Sequence, residues 1–79
     1  MNTDGRYKTA DLYYAAYLKT AAVEFLHTER EGTRMVFVFA RPDNIRDLKR
    51  QFFSRRAHVP ALTFADEIKA LKTLTHMGE

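Results

Sequence analysis

The segment from Arg34 to Ala40 constrains the fold of this chain more than any other part of the sequence. It reads Arg-Met-Val-Phe-Val-Phe-Ala, so the strand that it predicts is apolar on both faces. A strand of this kind usually lies at the centre of a sheet and is covered on both sides. Because the chain has only 79 residues, we expect the second cover to come from a helix or from another copy of the protein.

Two further segments predict partners for this strand. Residues 23–29 alternate, with Val23, Phe25 and His27 on one face, as in a half-buried strand. The polar segment 29–33 that follows them contains a late glycine and fits a hairpin loop. Residues 6–9 also alternate and predict a short edge strand. The segment 57–60 is a candidate third strand, because Pro60 favours an extended conformation of Val59.

Helical periodicity accounts for most of the rest of the chain. We predict helices from Ala10 to Thr20, with Thr9 as the N-cap, from Asn44 to Arg55, and after a cap at Thr63. The first helix is apolar over more than half of its circumference, which is wider than the stripe of an ordinary surface helix.

The predicted order of elements is (β)-α-β-β-α-(β)-α. It describes one small α+β domain over residues 1–79, in which a two- to three-stranded, mostly antiparallel sheet is packed with three helices. We expect residues 1–5 to be disordered, because they are polar and terminal.

The broad apolar side of the first helix and the central strand together predict a homodimer. Tyrosine gives a large, stiff contact area with a polar tip and is enriched in protein interfaces. Tyr14 faces away from the other two tyrosines of the helix and is the residue predicted to be surplus to the core, whereas ordinary core packing is the alternative for Tyr13 and Tyr17. The candidate interface residues are Tyr13, Tyr14, Tyr17 and Leu18.

Charge is concentrated in one part of the chain. The net charge is +3 overall, but residues 41–58 carry six basic and two acidic side chains. Arginines bind phosphates, and an exposed aromatic ring can stack on a base. The alternative is a solvated helix face, with Phe53 packed against the last helix. The candidate anion-binding or nucleic-acid-binding residues are Arg46, Lys49, Arg50, Phe53, Arg55 and Arg56.

Other classes of site have little support. The chain contains no cysteine, its three histidines lack metal-ligand spacing, and its glycines are isolated. Its one serine, Ser54, lacks the strand-turn-helix setting of a hydrolase nucleophile. We therefore predict no metal, no cofactor, no catalytic residue and no small-molecule substrate, so that the protein is not an enzyme.

Membrane insertion and secretion also have little support. The longest apolar run, residues 35–40, is too short to span a bilayer, and no secretory signal is visible. We expect a cytoplasmic protein with no membrane partner.

The segment Tyr7-Lys8-Thr9-Ala10-Asp11-Leu12, together with Val36-Phe37-Val38-Phe39 and Val59-Pro60-Ala61-Leu62, resembles a small family of bacterial and phage proteins known only as a domain of unknown function. The resemblance covers most of residues 7–74. It implies a stand-alone bacterial or phage-borne domain and brings no catalytic residues with it.

Two functional hypotheses follow from these features. The leading one is a non-enzymatic interaction module that self-associates and binds another macromolecule. The alternative is a nucleic-acid-binding accessory domain that uses the basic cluster at residues 46–58.

Overall fold

The structure is a computed structural model, and it describes residues 5–77. Within this range three strands form one antiparallel sheet, in which the strand at residues 34–40 lies between those at 6–9 and 25–31, accompanied by three helices. The predicted α+β class is confirmed, with the segment 6–9 as the third strand. The candidate strand at 57–60 was wrong, and residues 1–4 of the predicted disordered end lie outside the described range. The elements are β1 (Arg6–Thr9), α1 (Leu12–Thr20), β2 (Phe25–Glu31), β3 (Arg34–Ala40), α2 (Ile45–Phe53) and α3 (Ala61–Met77).

The central position of β3 follows from its apolar composition. Phe37 and Phe39 lie in the core that the helices share with the sheet, and they are 2% and 0% exposed. Thr9 of β1 and Thr28 of β2 stand opposite Phe37 on either side. Because directly paired residues project to the same face of a sheet, this face packs against the helices.

A bulge in β2 places some of its residues on a different face of the sheet from the one predicted. Phe25 pairs with Phe39, but His27 pairs with Val38, so the ladder gains one residue at Leu26. The regular alternation that placed Phe25 and His27 on one face was therefore wrong. Phe25 lies on the helix-covered face, and its ring packs against that of Phe39 with centroids 5.4 Å apart, whereas His27 lies on the opposite face.

Helix α1 occupies the middle of the core. Five consecutive residues, 14–18, are buried, which requires neighbours around the whole helix. Its N-cap is Asp11, two residues later than predicted, and the Asp11 carboxylate accepts a hydrogen bond of 3.0 Å from the backbone N–H of Tyr14. The predicted cap, Thr9, instead accepts a bond from the N–H of Asp11.

The other two helices cover α1. Phe52 of α2 lies with its ring centroid 5.3 Å from those of both Tyr14 and Tyr17. The helix α3 packs along α1, buries Leu71 completely, and is joined to α1 by a salt bridge of 2.8 Å between Lys19 and Glu67. Helix α3 begins before the predicted Thr63 cap.

The outer face of the sheet is covered by charged side chains. Val36 and Val38 project from β3 away from the helices and are nevertheless 3% and 0% exposed. Lys8 of β1 and Glu29 of β2 approach to 3.0 Å, and His27 lies 2.9 Å from Glu29. The expectation that a helix or a second copy must cover this face was wrong, because the apolar stems of long side chains can cover apolar surface while their heads stay in water.

Candidate nucleic-acid interface

Three of the four predicted interface residues lie inside the molecule. Tyr14, Tyr17 and Leu18 are 2%, 4% and 0% exposed, whereas Tyr13 is 53% exposed. The prediction that Tyr14 is surplus to the core was therefore wrong. Its burial, followed by a 3.1 Å hydrogen bond between its hydroxyl and that of Tyr7, raises the pKa of Tyr14 above the usual tyrosine range.

Phe53 is held at the surface by the buried tyrosine. Its ring centroid lies 5.2 Å from that of Tyr14 and 5.0 Å from that of Phe52, yet the side chain remains 55% exposed. The alternative considered from the sequence placed Phe53 against the last helix, whereas the ring contacts are with α1 and with its own helix. More than half of this aromatic side chain is thereby left available to a partner.

The cations around this ring are exposed and largely unpaired. Their one salt bridge within residues 5–77 is a long contact of 3.7 Å between Arg50 and Asp47, whose side chains are both mostly exposed. Lys8 and Lys19 elsewhere in the chain have closer carboxylate partners, at 3.0 Å and 2.8 Å. The exposed cations are Arg46, Lys49, Arg50, Arg55 and Arg56, which together with Phe53 we call the basic surface.

The end of α2 has an unusual backbone. Arg55 has a φ of +63°, in the left-handed region that glycine usually occupies after a helix. Its N–H donates to the carbonyl of Phe52, and the N–H of Arg56 donates to the carbonyl of Gln51 at 2.9 Å. This pair of bonds is a Schellman motif, formed here with an arginine at the glycine position.

Two cavities flank the segment that follows this turn. The first is a cleft of about 540 Å³ lined by the polar residues Arg50, Gln51, Ser54, Arg56 and His58, which we call the polar cleft after these residues, although the apolar parts of their side chains form most of its surface. The second is a more apolar cavity of about 310 Å³, lined by Tyr17, Phe52, Arg55, Ala57, Val59 and Phe64. A hydrogen bond of 3.5 Å from the Tyr17 hydroxyl to Oε1 of Gln51 connects the walls of the two cavities.

The cations of this region could be predicted from the sequence, whereas the two cavities were not. Gln51 and Ser54 were not among the candidate site residues, although both line the polar cleft. A sequence signal for the two cavities was the alternation of residues 56–59. There the polar residues at 56 and 58 alternate with a small residue at 57 and an apolar one at 59.

Two other features are absent from the described residues. Residues 5–77 contain no group of three or more histidine, cysteine, aspartate or glutamate side chains placed to hold a metal ion. Nor does any described helix combine the length and the apolar composition needed to cross a bilayer.

Comparison with known proteins gives a family and no activity. A family model described as a domain of unknown function, DUF5659, matches residues 4–77. The chain belongs to this family. The resemblance stated from the sequence is confirmed at the level of a domain of unknown function, and the match spans every described strand and helix of this chain. No curated protein and no solved structure matches the chain significantly.

Proposed function

We propose that this DUF5659 protein binds single-stranded nucleic acid through the basic surface, as an accessory domain that carries out no catalysis. The observation that carries the proposal is the half-exposed ring of Phe53 among cations that have few carboxylate partners. Its cytoplasmic location is part of the same proposal.

The geometry of α2 supports a single strand over a duplex. Arg46, Lys49 or Arg50, and Phe53 recur at the three- to four-residue spacing that places side chains on one side of a helix. Bases of a single strand can stack on an exposed ring, whereas those of a duplex are already stacked. Because the Phe53 ring rests on Tyr14, little side-chain freedom remains to be lost when a base binds.

The charge of the basic surface supports phosphate binding without sequence recognition. Cations that neutralise phosphates release counterions, which gives affinity that depends strongly on salt and weakly on sequence. Asp43 and Asp47 lie in the same segment and reduce its net charge. We therefore expect modest affinity rather than the tight binding of a protein that tracks many phosphates.

Fluorescence anisotropy with a labelled single strand of about 12 nucleotides tests the proposal at low salt. The test variant is the double charge reversal Arg46→Glu/Lys49→Glu. The control is Lys69→Glu/Lys72→Glu, which makes the same change in net charge at exposed positions of α3. We expect the test variant to bind about tenfold or more weakly than the control.

Two outcomes with the single strand, and one with a duplex, would contradict the proposal. One is the absence of binding by the unmodified protein at low salt. The other is an equal loss in both variants, which would show that only the overall charge matters. A duplex of the same sequence serves as the second ligand, and tighter binding of the duplex would contradict the assignment to single strands.

Self-association is a second proposal, supported by large apolar side chains that remain exposed. Tyr13 is 53% exposed and Leu62 of α3 is 82% exposed, which leaves Tyr13 as the available member of the predicted interface set. Light scattering coupled to size exclusion, at tens of micromolar protein, measures the mass. A dimer that Tyr13→Asp converts to a monomer is the expected result, and a monomeric mass for the unmodified protein would contradict it.

A further inference from the structure

We infer that one nucleotide of the bound strand sits at the end of α2, with its phosphate in the polar cleft and its base in the neighbouring aromatic cavity. The inference rests on the proposed function and specifies its ligand. It predicts a nucleotide-sized subsite distinct from the stacking surface at Phe53.

The segment after α2 forms a partition between the two cavities. Arg56 and His58 line the polar cleft, whereas Arg55, Ala57 and Val59 line the aromatic cavity. Alternate residues thus face opposite sides, as in an extended chain. A ligand with one anionic part and one flat apolar part matches this division, and a nucleotide is such a ligand.

The polar cleft has the donors that a phosphate requires. Arg50, Arg56 and His58 line it and bring two guanidinium groups and an imidazole ring, whereas the hydroxyl of Ser54 donates to the carbonyl of Gln51. The carbonyls that end a helix would ordinarily oppose an anion. Here those of Arg50, Gln51 and Phe52 already accept bonds from the following turn.

The aromatic cavity suits a base by its walls and its size. Tyr17, Phe52 and Phe64 line it, together with Arg55, whose guanidinium can also stack on a base. At about 310 Å³ it has room for one ring system. The long hydrogen bond of 3.5 Å from Tyr17 to Gln51 joins one lining residue of each cavity, so the two parts of the ligand would lie side by side.

The end of α1 provides an internal comparison. It closes with the same motif, with Ala22 at a φ of +67° and with the N–H of Val23 bonded to the carbonyl of Leu18. There the paired residues are apolar and buried, as this motif favours. At the end of α2 the equivalent pair is Gln51 and Arg56, both exposed and both lining the cleft. The turn itself therefore does not require this polar pair, and both side chains are available to a ligand.

The test is an NMR titration of the ¹⁵N-labelled protein with a nucleoside 5′-monophosphate, with the nucleoside alone and with inorganic phosphate alone. We expect the monophosphate to bind about tenfold more tightly than either part, because it fills both cavities. Its amide shifts should include Arg56 and His58 on one side, and Ala57 and Val59 on the other.

Two pairs of variants separate the cavities. Ala57→Leu fills the aromatic cavity, and Ala65→Leu makes the same change at an exposed position of α3. Arg56→Gln removes a cleft cation, and Arg34→Gln removes an exposed one from β3. We expect the Ala57→Leu variant to bind the monophosphate no more tightly than phosphate. We expect the Arg56→Gln variant to bind the monophosphate no more tightly than the nucleoside. The two control variants should still bind the monophosphate more tightly than either phosphate or the nucleoside.

Failure of this inference is distinguishable from failure of the proposed function. Monophosphate shifts confined to Arg46, Lys49 and Phe53, or equal affinity for monophosphate and phosphate, would overturn the subsite while single-strand binding persists. Absence of binding to both the monophosphate and the oligonucleotide would overturn both. If Ala57→Leu does not fold, the Arg56→Gln pair and the shift map of the unmodified protein decide the question.

Discussion

Lys8 Nζ lies 3.0 Å from Glu29 Oε1, and the two side chains come from edge strands on opposite sides of β3. The contact therefore crosses the face of the sheet that carries Val36 and Val38. Val36 and Val38 lie outside the core that the helices share with Phe37 and Phe39. Long charged side chains cover this face instead, and their apolar stems replace a packed helix.

This contact predicts a pH dependence of stability. Hydrogen bonds from His27 and then Lys8 hold the pKa of Glu29 below its ordinary value of 4.5, while the bond to Glu29 raises the pKa of Lys8 above 10.5. The stabilisation by Glu29 is complete above pH 4.5 and is lost as the pH falls through its lowered folded-state pKa. The stabilisation by Lys8 is complete below pH 10.5 and is lost as the pH rises through its raised folded-state pKa.

Thermal unfolding followed by circular dichroism between acid and alkaline pH measures this effect. We expect Glu29→Gln to lower the midpoint temperature of unfolding at neutral pH. We also expect this temperature to fall less steeply towards acid and alkaline pH in the variant. The exposed Glu24→Gln makes the same chemical change outside the contact. Identical pH profiles for the two variants would show that the Lys8–Glu29 contact does not contribute to stability.

Substitution of Tyr14 tests the position of α1 in the core. Tyr14→Phe keeps the ring contacts and removes the hydroxyl bond to Tyr7, so we expect a loss of about 0.5–1.5 kcal/mol in the free energy of unfolding. Tyr14→Ala removes the whole ring, and we expect a loss of about 3–5 kcal/mol, enough to unfold a domain of this size. Urea denaturation measures both. A folded Tyr14→Ala variant with an unchanged midpoint would contradict the burial of this residue.

Substitution of Arg55 separates its effect on stability from its effect on binding. Because it adopts a left-handed conformation, Arg55→Gly relieves backbone strain and should stabilise the protein by up to about 1 kcal/mol. Ala22→Gly, at the equivalent position of α1, should stabilise it similarly. We expect only Arg55→Gly to weaken binding of the single strand, as measured by anisotropy. Equal affinities of the two variants would remove Arg55 from the binding surface.

Phe53 has a matched control in Tyr13, because the two side chains are exposed to nearly the same extent, 55% and 53%. Loss of one base-stacking contact costs about 1–3 kcal/mol, so we expect Phe53→Ser to weaken single-strand binding by about five- to 150-fold. Tyr13→Ser should leave the affinity unchanged. Equal effects of the two substitutions, again measured by anisotropy, would contradict stacking at Phe53.

The strands and helices of this fold could be predicted from local patterns in the sequence. Which side chains cover the outer face of the sheet and the first helix could not. The apolar run at 35–39 predicts a central strand in any context, and the spacing of Ile45, Leu48 and Phe52 predicts the buried side of α2. The bulge at Leu26 has no local signal, and it alone decides that His27 joins Lys8 and Glu29 on the outer face. The inference of excess apolar surface failed there and at Tyr14.

The candidate site shows the same division. Its cations could be read from the charge distribution, because exposed arginines need no tertiary partner to be recognised. The two cavities depend on how the segment 55–59 passes between α1, α2 and α3. That path is set by the left-handed turn at Arg55, a position for which the sequence carries arginine instead of the usual glycine.

The salt dependence of single-strand binding tests the central claim most directly. With the five cations of the basic surface available to phosphates, the logarithm of the binding constant should fall linearly with the logarithm of salt concentration, with a slope of about −2 to −3.5. The slope should become shallower in Arg46→Glu/Lys49→Glu and stay unchanged in Lys69→Glu/Lys72→Glu. A slope near zero, or the same slope in all three proteins, would contradict phosphate binding by this surface.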